Sequence, residues 1–190
     1  MDDGEVKKLS SVLIGILRHF PEQFNVRVDS HGWANIDEIC DAIKHKLDRF
    51  YWVRKKHIVA LALTDEKGRY QIQEGNIRAT YAHTIEVDLS DLPEADTDVL
   101  YYPVTEEELD IILEQGLLPT DRSKVHLSGS KTKAMEAGKI RVDNPVILQI
   151  DVKKAMEDGI AINKAGTDVY VVDRVDAKYL SRMDETEEEK

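Results

Sequence analysis

The chain has 190 residues, 42% hydrophobic and 33% charged, and its 26 Lys and Arg stand against 37 Asp and Glu for a net charge of −11. That is an ordinary soluble composition, long enough for one large domain or two small ones without staples. The acidity excludes indiscriminate coating of DNA, whose affinity comes from neutralising phosphates, and no run approaches the roughly 20 apolar residues of a membrane span. The acidic start is not a signal peptide, so a cytoplasmic protein without membrane contact is expected. The single cysteine, Cys40, excludes an internal disulfide and falls in the apolar phase of IDEICDAI, which reads as a buried, inert thiol.

The first half opens with a helix, because Leu9, Val12, Leu13, Ile16 and Leu17 recur at helical spacing until Pro21 stops them. Asn35 caps a second helix with Glu38 three positions on, and Ile36, Ile39 and Ile43 form its buried stripe. A third helix is expected over 54–63, with Val59, Leu61 and Ala62 apolar. A turn at 65–68 leads to two short alternating strands, RYQIQ and IRATY, around Glu74-Gly75-Asn76. Three helices followed by a hairpin describe a winged-helix module. Its basic cluster, Lys44, Lys46, Arg49, Arg54, Lys55 and Lys56, reads equally well as a solvated face or as an RNA surface. The segment DLSDLPEADTD, 88–98, is acidic, holds Pro93 and lacks a long apolar pattern, so it is expected to link two domains. Residues 1–95 carry a net −3 and residues 96–190 a net −8.

In the second half, TEEELDIILEQG reads as a helix with Thr105 as N-cap, acidic residues in its first turn and Gly116 at its end. Val125-His126-Leu127 is a short strand, 131–138 a short helix, NPVILQIDV a strong strand, VKKAMEDG a helical turn ending at Gly159, and DVYVVDRV a second strong strand. Short helices between mostly sheet segments indicate an α+β domain. The terminal DETEEEK is expected to be a disordered, solubilising tail over 184–190.

Three short basic motifs stand apart in this acidic chain: Arg18-His19 in LRHFP, Arg78 and His83 in IRATYAH, and Arg122 with His126 in RSKVHLS. Brought together, such residues make a compact phosphate site, since the planar guanidinium donates two parallel hydrogen bonds to phosphate oxygens. Taken singly, each has a blander account. Arg18-His19 can be cations placed at a helix C-terminus, Arg78 and His83 surface residues of a hairpin, and His126 a hydrogen-bonded structural histidine between Val125 and Leu127. HExxH, clustered Cys/His spacing, GxGxxG and GxxxxGK[ST] are all absent, which gives a zinc site, a dinucleotide fingerprint and a P-loop no support.

From about residue 8 to 180 the chain resembles the NAD-dependent RNA 2'-phosphotransferase family, which removes the splice-junction 2'-phosphate from tRNA. The resemblance is carried in register by LSSVLIGILRHFP, HGWANIDEI, GRYQIQEGNIRATYAHTI, GLLPTDRSKVHLS and VYVVDRVDAKYL. It implies a winged-helix lobe over 1–92 for RNA and phosphate and an ADP-ribosyltransferase-like lobe over 98–183 for NAD, with the active site in the cleft between them. It further implies that Arg18, His19 and Arg78 hold the RNA 2'-phosphate and that Arg122 acts from the second lobe. NAD would be consumed as co-substrate along Tyr101, Tyr102, Pro103 and Val104 and along His126, Leu127 and Ser128, by a monomer that needs no metal. One departure stands out. Where the family usually has Leu-Tyr-His-Gly-Thr, this chain has Leu100-Tyr101-Tyr102-Pro103-Val104, losing an imidazole, a backbone N–H and a hydroxyl. That departure leaves two further expectations: a weak or inactive binder of 2'-phosphorylated RNA, or an ADP-ribosyltransferase acting on RNA ends or another acceptor.

Overall fold

A computed structural model describes residues 3–183 of the chain, which divides into two units, Met1–Asp91 and Leu92–Lys190. The tail expected at 184–190 lies outside the described residues. No helix among the described residues is long and apolar enough to cross a membrane.

The first unit begins with helix α1, Asp3–Arg18, whose Leu9, Leu13, Ile16 and Leu17 are fully buried. Pro21 starts a short 3-10 turn, Pro21–Phe24, so the main helix ends where the proline requires. Helix α2, Ile36–Lys46, is capped by Asn35, whose Oδ1 accepts from Asp37 N at 2.9 Å and Glu38 N at 3.2 Å. The Glu38 side chain, expected to close a capping box, pairs with Arg27 at 3.4 Å. Helix α3, Lys55–Leu63, turns the apolar Ile58 and Leu61 inward. A two-residue strand β1, Ala34–Asn35, was not legible in the sequence; it pairs antiparallel with β3, Asn76–Ala79, which also pairs with β2, Tyr70–Gln73. The hairpin turn places Glu74 at φ 48° and Gly75 at φ 83°, two successive left-handed residues whose twist matches the flanking strands. One core unites α1, α2, α3 and the sheet through residues such as Leu13, Ile39, Ile58 and Ile77. Cys40 lies in it, 4% exposed, and burial pushes its thiol pKa up to about 11, as an inert thiol requires.

The second unit is a six-stranded antiparallel sheet in the order β7-β8-β5-β4-β6-β9. Its strands are β4, Val99–Val104; β5, Val125–Ser128; β6, Val146–Asp151; β7, Asn163–Lys164; β8, Val169–Val172; and β9, Leu180–Arg182. Between them run α4, Glu106–Gln115, α5, Lys131–Gly138, and α6, Val152–Glu157. Thr105 caps α4 in a reciprocal box: its Oγ1 accepts from Glu108 N at 3.2 Å, and its own N–H donates to Glu108 Oε2 at 3.0 Å. Gly116 ends α4 at φ 85°, where a β-carbon would lie 2.3 Å from the Val175 carbonyl oxygen. The molecule is thus a mixture of helices and antiparallel sheets.

A proline in mid-strand normally argues against a central strand. Strand β4 pairs with β6 along its whole length, from Val99↔Asp151 to Val104↔Val146, but its ladder with β5 is the single pair Tyr101↔Ser128. Pro103 is tolerated because, past Tyr101, β5 has parted from the strand. The sheet opens there, between β4 and β5.

The segment 88–98 is tied at each end to its own unit. Asp88 N donates to Ser30 O at 2.8 Å in the first unit, while in the second Lys164 N donates to Pro93 O at 2.8 Å and Ala95 N to Ile162 O at 2.8 Å. Leu89 and Leu92 are buried at 2% and 4% exposure, so the acidic composition disguised residues that pack.

Candidate active site

Helix α1 delivers Arg18 and His19 at its C-terminal end, and the chain beyond β3 folds back to meet them. Thr84 N and Ile85 N donate to the Arg18 carbonyl at 3.0 and 3.3 Å, satisfying an acceptor that a helix end leaves open. The turn that permits this runs through Ala82 at φ 64°, a left-handed conformation uncommon for a residue with a β-carbon. The Arg18 side chain is 6% exposed, its guanidinium lies over the Tyr81 ring at 4.7 Å, and its Nε and Nη2 are buried without a hydrogen bond to the protein. Burial lowers its pKa from the ordinary value, against the opposing influence of Tyr81 and Tyr70. A buried cation with two unspent donors is costly unless an anion supplies the acceptors.

His19 is oriented by Thr84, a residue the sequence reading did not single out. Thr84 Oγ1 lies 3.1 Å from His19 Nδ1 and 3.3 Å from Arg18 O, so the hydroxyl bridges the ring to the helix end. When the hydroxyl donates to the carbonyl, the ring donates from Nδ1 and the lone pair of the neutral ring is on Nε2. In that form Nε2 can accept a proton from an acidic ligand; as imidazolium it can donate one.

Arg78 comes from β3 and is 2% exposed. Read singly, it could be a surface residue of the hairpin; it is among the most buried side chains of the described residues. Its Nε donates to Gln71 Oε1 at 2.8 Å, and its Nη1 to His31 O at 3.1 Å and Asp91 Oδ1 at 2.9 Å. The guanidinium also lies over the Trp33 ring at 4.6 Å. These partners fix the fork in one orientation and use none of the Nη2 donors. His83, 1% exposed, belongs to the same wall: a β-carbon at Gly32 would lie 3.8 Å from both Arg78 Cβ and His83 Nε2. The strap 80–85 therefore joins the Arg18 cluster to the Arg78 cluster within this unit.

In the second unit the alternation of the sheet sorts the remaining candidates. Leu100, Tyr102 and Val104 share a face with Val125, Leu127, Leu148, Ile150 and Tyr170, packed into two adjoining hydrophobic clusters. Val104 is 1% exposed among Leu109 and Leu148, and Leu127 is 1% exposed. Their side chains belong to the core, so only the main chain of these two positions is left for a ligand. Tyr102 is half-buried on the same face, and burial raises its pKa, keeping the hydroxyl protonated. Tyr101, Pro103, His126 and Ser128 lie on the opposite face, with Tyr101 directly across from Ser128. There Pro103 sits against α5: a β-carbon at Gly138 would be 2.8 Å from Pro103 Cβ and 2.5 Å from Pro145 Cβ. Arg122 lies in the loop before β5, half-exposed, with Nε 3.5 Å from Asp121 Oδ2. The cofactor candidates thus divide between two faces of one sheet, and the group with polar side chains is Tyr101, His126 and Ser128.

Cavity size alone does not find these residues. A cavity of about 640 Å³ in the second unit is walled by Asp96, Asp98 and Glu157, which repel a phosphate, and one of about 480 Å³ in the first unit lies along α2 beside Phe24. Among the described residues no group of His, Cys, Asp and Glu is disposed to hold a metal ion. Positive charge at the candidate site comes from arginine.

Comparison with known proteins identifies the family. Residues 4–174 match the model of the family described as RNA 2'-phosphotransferase, Tpt1 / KptA family. The chain is 44% identical over 185 residues to a probable RNA 2'-phosphotransferase of Methanosarcina barkeri, covering 97% of this chain and 87% of that protein. It is 43% identical over 179 residues to a probable RNA 2'-phosphotransferase 1 of Archaeoglobus fulgidus, covering 94% and 82%. A probable RNA 2'-phosphotransferase of Thermoplasma acidophilum is 40% identical over 196 residues, covering 100% and 83%. With a family model spanning most of its length and relatives matched nearly end to end, the chain belongs to the RNA 2'-phosphotransferase family of the Tpt1/KptA type.

Proposed function

We propose that the protein removes an internal 2'-phosphate from RNA, such as the splice-junction phosphate of tRNA, by transferring it to NAD. The observation that carries this reading is Arg18, buried with Nε and Nη2 unspent beside a histidine oriented by Thr84. In this reading the first unit is a winged-helix lobe that binds the phosphate, and the second is an ADP-ribosyltransferase-like lobe that binds NAD.

The reaction has two steps. An oxygen of the RNA 2'-phosphate attacks the anomeric carbon of the nicotinamide ribose; the glycosidic C–N bond breaks, and nicotinamide leaves with the electron pair. The 2''-hydroxyl of the same ribose then attacks phosphorus, and the bond from phosphorus to the RNA 2'-oxygen breaks. That oxygen takes a proton and becomes a free 2'-hydroxyl, while ADP-ribose 1'',2''-cyclic phosphate is released. Arg18 and the Nη2 side of Arg78 orient the dianion, and His19 Nε2 shares a proton with it. Arg122 stabilises the crowded, anionic phosphorus of the second step. Tyr101, His126 and Ser128 offer hydroxyl and imidazole groups to NAD.

A 2'-phosphorylated oligonucleotide incubated with the protein and NAD should lose its phosphate and yield the cyclic product. No turnover at high enzyme and NAD would overturn the reading. A second reading, a binder of 2'-phosphorylated RNA with little or no turnover, is favoured by one observation: Val104 is enclosed in the core and Pro103 is packed beneath Gly138, both in the segment assigned to NAD. It predicts preferential binding of the phosphorylated oligonucleotide without product. ADP-ribose left attached to the RNA would instead identify a transferase to another acceptor.

A further inference from the structure

The strongest feature not absorbed by the 2'-phosphate site is the corner between α2 and α3. Residues 44–57 hold six Lys and Arg against one acid, Asp48, a net +5 in a chain whose remaining residues carry −16. Such a run could be a solvated face neutralised by its neighbours, and the ion pairs decide between the two accounts. Lys44 pairs with Asp41 at 2.8 Å and Lys55 with Asp37 at 3.2 Å, both carboxylates of α2. Lys46, Arg49, Arg54 and Lys56 are exposed and, among the described residues, form no ion pair. Three of the four are anchored without losing their charge, Lys46 with its Nζ over the Phe24 ring at 5.8 Å. Arg54 Nη1 donates to the carbonyls of Tyr51 and Val53 at 2.9 and 2.8 Å, and the Arg49 guanidinium lies over Phe50 at 4.9 Å. The local field is felt by His57, whose pKa is lowered first by burial and then by cations that include Lys56 and Arg54.

Amid these cations stands Tyr51, 73% exposed, while its neighbours Phe50 and Trp52 turn toward the core. An exposed aromatic ring in a stretch of cations without ion pairs fits one class of partner. Phosphodiesters meet the charges, and an unstacked base meets the ring. We infer that Lys46, Arg49, Tyr51, Arg54 and Lys56 form a second RNA surface, which holds the body of the RNA apart from its 2'-phosphate. The inference rests on the reading of the substrate as RNA. It assigns affinity for length and single-strandedness to this corner and recognition of the 2'-phosphate to Arg18, His19 and Arg78.

The test uses the full chain, a 20-nucleotide single-stranded RNA without a 2'-phosphate, and a 2'-phosphorylated dinucleotide. Arg54 braces the corner, so the charge variant is Lys46→Gln/Arg49→Gln/Lys56→Gln, and Tyr51→Ala is made separately. Melting curves establish that each is folded. The triple variant should bind the 20-mer about tenfold more weakly near 0.1 M salt, and its plot of log K against log salt should flatten by about 2, the counterion release of three contacts to a single strand. Tyr51→Ala should lose roughly fivefold or more while keeping the wild-type salt slope, because stacking is not ionic. Both should turn over the dinucleotide at the wild-type kcat/KM. Unchanged affinity and slope in folded variants would overturn the inference. Failure of every form, wild type included, to turn over the dinucleotide would overturn the proposed activity instead, while the 20-mer titrations would still decide the surface.

Discussion

Arg18 gives the sharpest separation of stability from function. Its Nε and Nη2 are buried and make no bond to the protein, and each such donor costs about 1–3 kcal/mol. The Tyr81 ring beneath the guanidinium, 4.7 Å away, returns only about 0.5–2 kcal/mol. Arg18→Met retains most of the stem's packing and removes the stranded cation. The variant should therefore be more stable than wild type in anion-free buffer by about 2 kcal/mol, or roughly 4–8 °C in Tm for a chain of this size. Adding a 2'-phosphorylated dinucleotide should reverse the order. Wild type gains about 2.7 kcal/mol when the ligand is at a hundred times its Kd, and the variant, lacking the fork, gains little. Thermal denaturation of both proteins, with and without ligand, provides all four values. An Arg18→Met protein that melts below wild type without ligand would refute the reasoning, since the guanidinium would then contribute to the fold and not only to the ligand.

The other expectations follow from single contacts. Thr84→Val removes the hydroxyl that orients His19 through Nδ1; long-range nitrogen–proton NMR should find one dominant tautomer in wild type and a mixture in the variant, with 2'-phosphate affinity reduced by about 0.5–1.5 kcal/mol. Ala82→Gly relieves a left-handed residue at φ 64°, and after the entropic cost of glycine it should stabilise by up to about 1 kcal/mol in denaturant titrations. Burial alone would raise the pKa of Asp65, but side-chain and backbone hydrogen bonds from Arg69 overcome it and hold the carboxyl below its ordinary value. Its contribution is therefore complete above the unfolded carboxyl pKa, near 3.9, and is lost as pH falls through the lower folded value. Asp65→Asn should cost about 2–4 kcal/mol at pH 7 and should lessen the loss of stability on acidification below about pH 4. Val104→Thr places a hydroxyl among Leu109 and Leu148 and should destabilise by about 1–3 kcal/mol with no change in the dependence of rate on NAD. A lower KM for NAD in that variant would return the Val104 side chain to the cofactor.

The sequence was most readable where a local rule and the core agreed. Asn35 before Ile36, Thr105 before the acidic turn, and Glu74-Gly75 between alternating strands each combine a cap or turn with an apolar period, and each element formed as expected. Strand β4 was hidden because Pro103 speaks against a strand, and only the parting of β5 from β4 makes it admissible. Strands β1, β7 and β9, of two or three residues each, are too short to show a period. Arg78 shows the limit for a site. Alternation with Ile77 points it away from the hydrophobic core, but His31, Asp91 and Trp33 cover that other face from distant parts of the chain. Thr84 carries no signal of its own, since its importance lies in a contact with His19, 65 positions away.

That span has a consequence for the order in which the protein assembles. The carbonyl at the end of α1 is satisfied by residues 66 and 67 positions later, so the helix can wind early while its last acceptor waits for β3 to be made. A nascent chain ending before residue 80 would already own Arg18 and His19 yet have nothing to hold them. Closing so long a loop is an entropic debt settled late in folding. The amides of Thr84 and Ile85 are consequently natural reporters: their hydrogen exchange measures how often the strap lifts, and each lifting takes apart the surroundings of Arg18 and His19 together while α1 itself stays wound.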